Sequence, residues 1–148
     1  MPRRPEHLVA AIVAGGASSL IRYRDRPSSD SFPLILGGVI GAALGGLFPD
    51  QWDLPSTPNH RSLAHSFTAV AVLGQARLTA WETCCEVEAA RWRQRAATWE
   101  EESQQRAEAE FYEFLWKVVG GIAVGFVAGY VSHLALDAQT KRGLPLFL

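Results

Sequence analysis

The sequence is poor in the residues and motifs that most often identify a catalytic or binding site. Its 148 residues include two cysteines and four histidines, and the formal net charge is -1. Because there is no basic excess, the composition gives no indication of nucleic acid binding. The sequence contains no Gly-x-Ser-x-Gly elbow, no phosphate-binding loop and no Cys-x-x-Cys pair. A functional site must therefore be sought among the few histidines and the carboxylates near them.

The two cysteines, Cys84 and Cys85, are adjacent in the chain. Neighbouring cysteines rarely form a structural disulfide because the ring would be strained. We therefore expect two free thiols on a helix, and they give no indication of an oxidising compartment.

Charged residues are missing from two long stretches, between Pro33 and Pro49 and between Val118 and Ser132. Charge is concentrated instead in Glu82–Lys117. This separation marks four apolar segments, which lie at 8–21, at 34–48, from 63 onwards and at 118–136. The fourth is nearly long enough to span a bilayer by itself, whereas the first three are short enough to be buried helices of a soluble bundle.

Glycines repeat at intervals of four residues within the second and fourth apolar segments. They are Gly37, Gly41 and Gly45 in one segment and Gly121, Gly125 and Gly129 in the other. Such a stripe lets helix backbones approach closely, as membrane helix pairs prefer, whereas each glycine would cost a soluble helix about 1 kcal/mol relative to alanine. The spacing favours membrane insertion over a soluble bundle. We predict an all-α fold, a multi-pass integral membrane four-helix bundle.

The stretch from 75 to 119 has neither glycine nor proline, and helix-forming residues dominate it. We predict that 77–117 forms a long charged helical hairpin between the third and fourth helices, protruding from a single membrane domain of residues 1–148. Its two antiparallel arms would be joined near 100–106. Each arm would continue a membrane helix into water.

Three tryptophans, Trp81, Trp92 and Trp99, recur along the predicted hairpin among charged residues. One interpretation is a solvated hairpin without a partner. The other is a surface that binds a protein partner or a second copy of the chain, with the tryptophans as anchors.

Histidines and aspartates flank the apolar segments. They are His7 before the first, Asp50 and Asp53 after the second, His60 and His65 before the third, and His133 and Asp137 at the end of the fourth. If successive helices run antiparallel, one end of the bundle contains the start of the first helix, the end of the second, the start of the third and the end of the fourth. The sequence therefore predicts that all four histidines converge at a single end of the bundle.

His133 and Asp137 are spaced i, i+4, so the imidazole and the carboxylate share one helix face and can reach one ion. Nitrogen and oxygen donors without a thiolate suit zinc, manganese or iron. Such an ion would lower the pKa of bound water and generate a hydroxide nucleophile, and two ions would clamp a phosphoryl group. Taken separately, each part of this set has a simpler interpretation. His7 fits an exposed histidine, His133 with Asp137 fits a hydrogen-bonded pair on a helix surface, and the segment after the second apolar stretch fits a turn. Together, near an apolar phase where uncompensated ionisable groups are costly, they predict a metal site.

Two stretches carry a recognisable pattern, "GAALGGLFPDQWDLPSTPNHRSLAHS" at 41–66 and "GYVSHLALDAQTKRGLPLF" at 129–147. With an early histidine, they resemble the membrane-bound metal-dependent hydrolase family that includes the YdjM-like, LexA-binding inner-membrane proteins. The matching positions are His7, Asp50, Asp53, His60, Arg61, His65, Ser66, Ser132, His133, Asp137, Thr140, Arg142, Gly143 and Pro145. The family is distantly similar to zinc-dependent phospholipase C and the P1-type nucleases. The resemblance implies a phosphoester hydrolase of the inner membrane with a di- or trinuclear metal cluster.

We therefore expect an integral membrane hydrolase whose metal-activated water attacks a phosphoester, with a membrane lipid head group as substrate. The expected ligands are His7, Asp50, His65, His133 and Asp137. The expected ion is zinc, with manganese or iron as alternatives. We expect His60 or Asp53 to complete the ligand shell or act as general base, and Arg61 to hold a phosphate or a carboxylate. The alternative is a non-catalytic membrane scaffold or regulatory protein, in which a closed structural metal site ties helix ends together and the hairpin binds partners.

Overall fold

The computed structural model of the protein describes residues 4–52 and 75–139, which form four α-helices. These are α1 (Arg4–Tyr23), α2 (Ser28–Trp52), α3 (Gln75–Ala96) and α4 (Gln104–Ala138). The prediction of an all-helical fold is confirmed for these residues. The first part of the predicted third membrane segment, 63–74, lies outside them, so the integral four-helix bundle stays a prediction.

Helix α2 is longer than the apolar segment that predicts it. It begins at Ser28 and ends at Trp52, so Pro33 and Pro49 lie inside the helix instead of bounding it. A proline within a helix removes one backbone hydrogen bond and crowds the preceding turn. Both proline rings are fully buried, and membrane helices tolerate proline because neighbouring groups satisfy the freed backbone. The extension places Asp50 on the last turn of α2 and not in a connecting loop.

Helices α2 and α4 pack with their backbones in contact along the predicted glycine stripes. A Cβ atom added at Gly41 would collide with the carbonyl group of Ile122, and one added at Gly125 would collide with the backbone of Gly38. The other stripe glycines also face backbone atoms of the opposite helix: Gly37, Gly45, Gly121 and Gly129. Only a residue without a side chain permits this approach, so the stripes determine how α2 and α4 pack. Residue numbers rise together along the contact, so the two helices run parallel.

Helix α1 packs against the neighbouring face of α2 through small residues. The facing pairs are Ser19 with Gly38, Gly15 with Ala42, and Ala11 with Gly46. Residue numbers fall along α1 as they rise along α2, so these two helices run antiparallel. The start of α1, the end of α2 and the end of α4 therefore lie at the same end of the bundle.

Two of the described helices, over Ser28–Gln51 and Gln104–Ala138, are long and apolar enough to cross a membrane. Large apolar side chains are also exposed on the outside of α1, α2 and α4: Val9, Val13, Leu20, Phe32, Leu36, Ile40, Leu44 and Val131. The exposed residues of α2 recur every four positions, on the face away from its glycine contacts. Such an apolar outer surface suits contact with lipid.

Helices α3 and α4 form an antiparallel hairpin. The ring of Trp92 stacks on that of Tyr112 at a centroid distance of 4.6 Å, and the indole nitrogen of Trp81 donates to the Val119 carbonyl at 3.0 Å. The hydroxyl of Ser103 caps α4 by accepting from a backbone N–H at 3.2 Å. Because α4 is one helix of 35 residues, it joins the second hairpin arm directly to the fourth apolar segment, as predicted. The boundaries 77–117 and the single domain stay predictions.

Two of the three predicted anchors, Trp81 and Trp92, make contacts within the chain, while the Trp99 side chain lies near the hairpin turn and is 49% exposed. Cys84 and Cys85 are both free, as expected. Cys85 is buried between the arms, and burial raises the pKa of its thiol to about 11.

Charged side chains link α3 to the end of α1 where the hairpin leaves the bundle. The Glu82 carboxylate accepts a hydrogen bond from the Arg22 Nε atom at 2.9 Å and another from the Tyr23 hydroxyl at 2.6 Å. One turn further along α3, Glu86 accepts a hydrogen bond from Arg26. Electrostatic contacts between residues about 60 positions apart therefore hold the hairpin against the end of α1 and the turn that follows it.

We expect Glu82→Gln to lower the free energy of unfolding by about 1.5–3 kcal/mol at pH 7, the usual contribution of a hydrogen bond to a charged group. Burial raises the pKa of Glu82, but the hydrogen bonds from Arg22 and Tyr23 outweigh this effect and keep the pKa below its ordinary value. A carboxylate with a lowered folded pKa stabilises the protein above the unfolded pKa and loses this contribution as pH falls through the folded value. The difference between wild type and variant should therefore shrink below about pH 4, measured by circular dichroism in detergent.

The matched control is Glu86→Gln. The Glu86 side chain is 49% exposed, compared with 10% for Glu82, and an exposed ion pair contributes at most about 1 kcal/mol. An equal loss of stability in the two variants would contradict the role assigned to Glu82.

Candidate metal site

Two histidines and one aspartate lie together at the end of the bundle where α1 begins and α4 ends. One possible ligand atom from each of His7, His133 and Asp137 lies within 4.8 Å of the others. All three residues are buried. Because α1 runs antiparallel to α2 and α4 runs parallel to it, these three residues lie beside the end of α2, where Asp50 also lies.

The distances within this cluster are close to those between ligands of a single ion. The His7 Nε2 atom lies 3.8 Å from Asp137 Oδ1, and the His133 Nε2 atom lies 3.7 Å from both Asp137 Oδ2 and Asp50 Oδ1. These separations are too long for hydrogen bonds. Nitrogen and oxygen ligands about 2.0–2.2 Å from a zinc ion stand roughly 3.3 Å apart, so each of these three separations exceeds the spacing of zinc ligands by about half an ångström.

The orientation of His133 is determined by the backbone of α2. Its Nδ1 atom lies 2.7 Å from the Gly46 carbonyl oxygen, and because a carbonyl only accepts, Nδ1 carries the proton and donates it. Nε2 is then the basic nitrogen, and it is directed at Asp50 and Asp137. A histidine that donates its other ring N–H to a carbonyl is the usual arrangement of a metal ligand.

The environment of His7 also suits a ligand. Its imidazole packs against that of His133, with ring centroids 4.2 Å apart and planes inclined by 37°. The Nδ1 atom of His7 is buried and has no hydrogen-bond partner among the described residues. The His7 nitrogen that faces Asp137 is Nε2, at 3.8 Å, so an ion shared with Asp137 would bind Nε2 and leave Nδ1 as the N–H nitrogen of the ring. The donor set, two imidazoles and one or two carboxylates, suits a divalent ion such as zinc.

The cluster is closed on most sides and more open at Asp50. The side chains of His7, His133 and Asp137 are 5%, 0% and 6% exposed, whereas that of Asp50 is 37% exposed. An ion held by the three buried residues would therefore meet solvent on the side of α2.

The structure brings together four of the residues that the sequence suggested. Their role as metal ligands stays a prediction. The remaining candidates, Asp53, His60, Arg61 and His65, fall in 53–74, outside the described residues, so their roles also stay predictions.

Sequence reasoning did not identify the Gly46 carbonyl as part of the site. The signal available in the sequence is that residues on the α2–α4 contact recur every four positions. On α4 the glycine stripe ends at Gly129, and His133 and Asp137 follow at the same interval; on α2, Gly46 and Asp50 follow Ala42 in the same way. The candidate ligands of α2 and α4 therefore continue the helix–helix contact.

The family model of the YdjM inner membrane proteins matches residues 1–148, the whole chain. No curated protein matches the chain, and no solved structure matches it. The resemblance to metal-dependent hydrolases, zinc-dependent phospholipase C and P1-type nucleases gains no support from these comparisons. The match over the full length, with two helices able to cross a membrane, shows that the chain belongs to the YdjM inner membrane protein family.

Proposed function

We propose that the protein is a multi-pass membrane hydrolase that uses a divalent metal ion to cleave a phosphoester. Zinc is the ion that we propose first. The observation that carries this proposal is the buried cluster of His7, His133 and Asp137, whose ligand atoms lie within 4.8 Å of one another. When bound, such an ion supplies an activated water as nucleophile and stabilises the charge on a phosphoryl group. The half-exposed Asp50 leaves a side from which a substrate can approach.

The depth of the cluster supports a lipid substrate. Exposed apolar side chains on all three helices lie two residues away from the site: Val9 beside His7, Leu44 beside Gly46, and Val131 beside His133. Two residues correspond to about 3 Å along a helix. The cluster therefore lies at the edge of the apolar surface, which is where the phosphate of a lipid head group meets the hydrocarbon layer.

The residues of 53–74 complete this proposal. His65 would be a further ligand, and His60 or Asp53 would serve as general base or additional ligand. Arg61 would hold the phosphate, since a guanidinium binds two phosphate oxygens at once.

A second candidate function is a membrane scaffold in which the metal only ties helix ends together. The nearly complete burial of His7, His133 and Asp137 favours it, because structural metal sites are closed, whereas catalytic ones keep a position open. The exposure of the Asp50 side chain favours the enzyme.

Elemental analysis of the purified protein, combined with a phosphodiester hydrolysis assay, tests the proposal. We expect at least one zinc, manganese or iron ion per chain, and hydrolysis that stops when a chelator is added and returns with the metal. A bound metal without hydrolysis would support the scaffold. Protein purified without chelator that contains no metal would contradict both functions.

A further inference from the structure

A cavity of about 200 Å³ lies between the beginning of α2 and helices α3 and α4. Its apolar floor includes Leu34, Cys85 and Ala89, which are all buried. Its rim carries six charged side chains: Arg26, Asp30, Glu82, Glu86, Arg93 and Lys117. This volume holds several water molecules, which is enough for a small polar head group.

The cavity lies at the edge of the apolar part of the bundle, at the end away from His7 and His133. The uncharged part of α2 begins after Asp30, and that of α4 begins after Lys117. These two rim residues are joined by a hydrogen bond of 2.6 Å. In an inner membrane protein this depth is that of lipid head groups.

The six rim side chains sum to no net charge, since three are cationic and three are carboxylates. Some also pair outside the cavity: Glu82 with Arg22, and both Arg93 and Lys117 with Glu113. Asp30 accepts hydrogen bonds from Lys117 at 2.6 Å and from Arg93 at 2.8 Å, and Arg26 donates to Glu86. A ligand that is only anionic or only cationic would upset this balance, which is costly at the mostly buried rim residues Glu82 and Lys117, whose side chains are 10% and 12% exposed. A ligand that carries one positive and one negative charge can interact with both members of an ion pair at the rim and leave the net charge of the cavity at zero.

We propose that this cavity binds a phosphoethanolamine group, a phosphate and a primary ammonium joined by two carbons. The phosphate suits Arg26, Arg93 and Lys117, since guanidinium and ammonium groups bind phosphate oxygens strongly. The primary ammonium donates three hydrogen bonds, which Glu82 and Glu86 can accept. A choline head group has no N–H to donate, and a glycerol head group carries no positive charge. Phosphatidylethanolamine and free phosphoethanolamine share the required chemistry, and neither depends on the metal site.

Native mass spectrometry of the full-length protein in mild detergent tests this site. Phosphatidylethanolamine, phosphatidylcholine and phosphatidylglycerol with identical acyl chains are added in turn. We expect phosphatidylethanolamine to bind at least about tenfold more tightly than the other two, the difference expected for one charge-assisted hydrogen bond. Equal binding of the three lipids would overturn the proposal.

A pair of Glu→Gln variants locates the binding. Glu86→Gln removes a negative charge at the rim and replaces one accepting oxygen with an NH2 donor, so it should weaken phosphatidylethanolamine binding about tenfold. Glu110→Gln is the control, because Glu110 pairs with Arg106 on the same hairpin, is 54% exposed and does not line the cavity. If both variants or neither lose affinity, the ligand binds elsewhere and the proposal fails.

Competition with free phosphoethanolamine identifies the source of the group. If it displaces the lipid at a similar concentration, the cavity recognises the head group alone and a soluble ligand is sufficient. If it does not, while Glu86→Gln still weakens lipid binding, the ligand is the membrane lipid. Both results support the assigned chemistry.

Discussion

Gly125→Ala should destabilise the protein by about 3 kcal/mol or more, the upper end of the cost of overpacking. The added Cβ atom would collide with the carbonyl oxygen, carbonyl carbon and Cα atom of Gly38. All three are backbone atoms, so no change of rotamer can relieve the collision, and α2 must move away from α4. Unfolding followed by circular dichroism in detergent measures the loss.

Gly16→Ala is the matched control for this prediction. A Cβ atom at Gly16 would lie 3.8 Å from a side-chain methyl of Val39, which is an ordinary van der Waals contact. Since alanine favours a helix over glycine by about 1 kcal/mol, we expect this variant to be as stable as wild type or slightly more stable. Equal destabilisation by the two substitutions would show that the α2–α4 backbone contact does not determine stability.

The sequence was sufficient to predict the parts of the fold that repeat at short intervals. The four-residue spacing of Gly121 and Gly125 marks a helix face that another backbone can approach, and the structure has this contact. The i, i+4 spacing of His133 and Asp137 likewise predicts a shared face, and their nearest ligand atoms are 3.7 Å apart. Such patterns are readable because helix geometry alone relates the residues.

Features that depend on how distant helices meet could not be predicted. The ion pair between Arg22 and Glu82 joins residues 60 positions apart, and nothing in the local sequence relates them. The helix bounds also escaped prediction at Pro33 and Pro49, where burial of the rings within α2 overrides the usual tendency of proline to end a helix. The cavity between α2, α3 and α4 depends on such long-range contacts.

The glycine stripes connect the packing of the bundle to its candidate site. Along α4, Gly125, Gly129 and His133 face Gly38, Ala42 and Gly46 of α2 in turn. The register that brings the two backbones into contact therefore also brings the His133 ring under the Gly46 carbonyl. A substitution that separates α2 from α4 should consequently disturb the candidate metal site as well as the fold.

Asp137→Asn should abolish the effect of a chelator on stability. Asp137 lies near both histidines, 3.8 Å from His7 and 3.7 Å from His133, and asparagine keeps its shape while removing its charge. A ligand present at a thousand times its dissociation constant stabilises the folded state by about 4 kcal/mol. We therefore expect EDTA to lower the free energy of unfolding of the zinc-loaded wild type by about this amount, and to leave Asp137→Asn unchanged.

Asp25→Asn controls for the loss of a carboxylate, because the Asp25 side chain is 88% exposed and lies in the turn between α1 and α2. This variant should retain its metal and respond to EDTA as the wild type does. Metal content, measured on the same samples, separates binding from stability: it should fall in Asp137→Asn alone. A wild type that is equally stable with and without EDTA would show that the cluster is held by its own polar contacts and that no ion contributes to the fold.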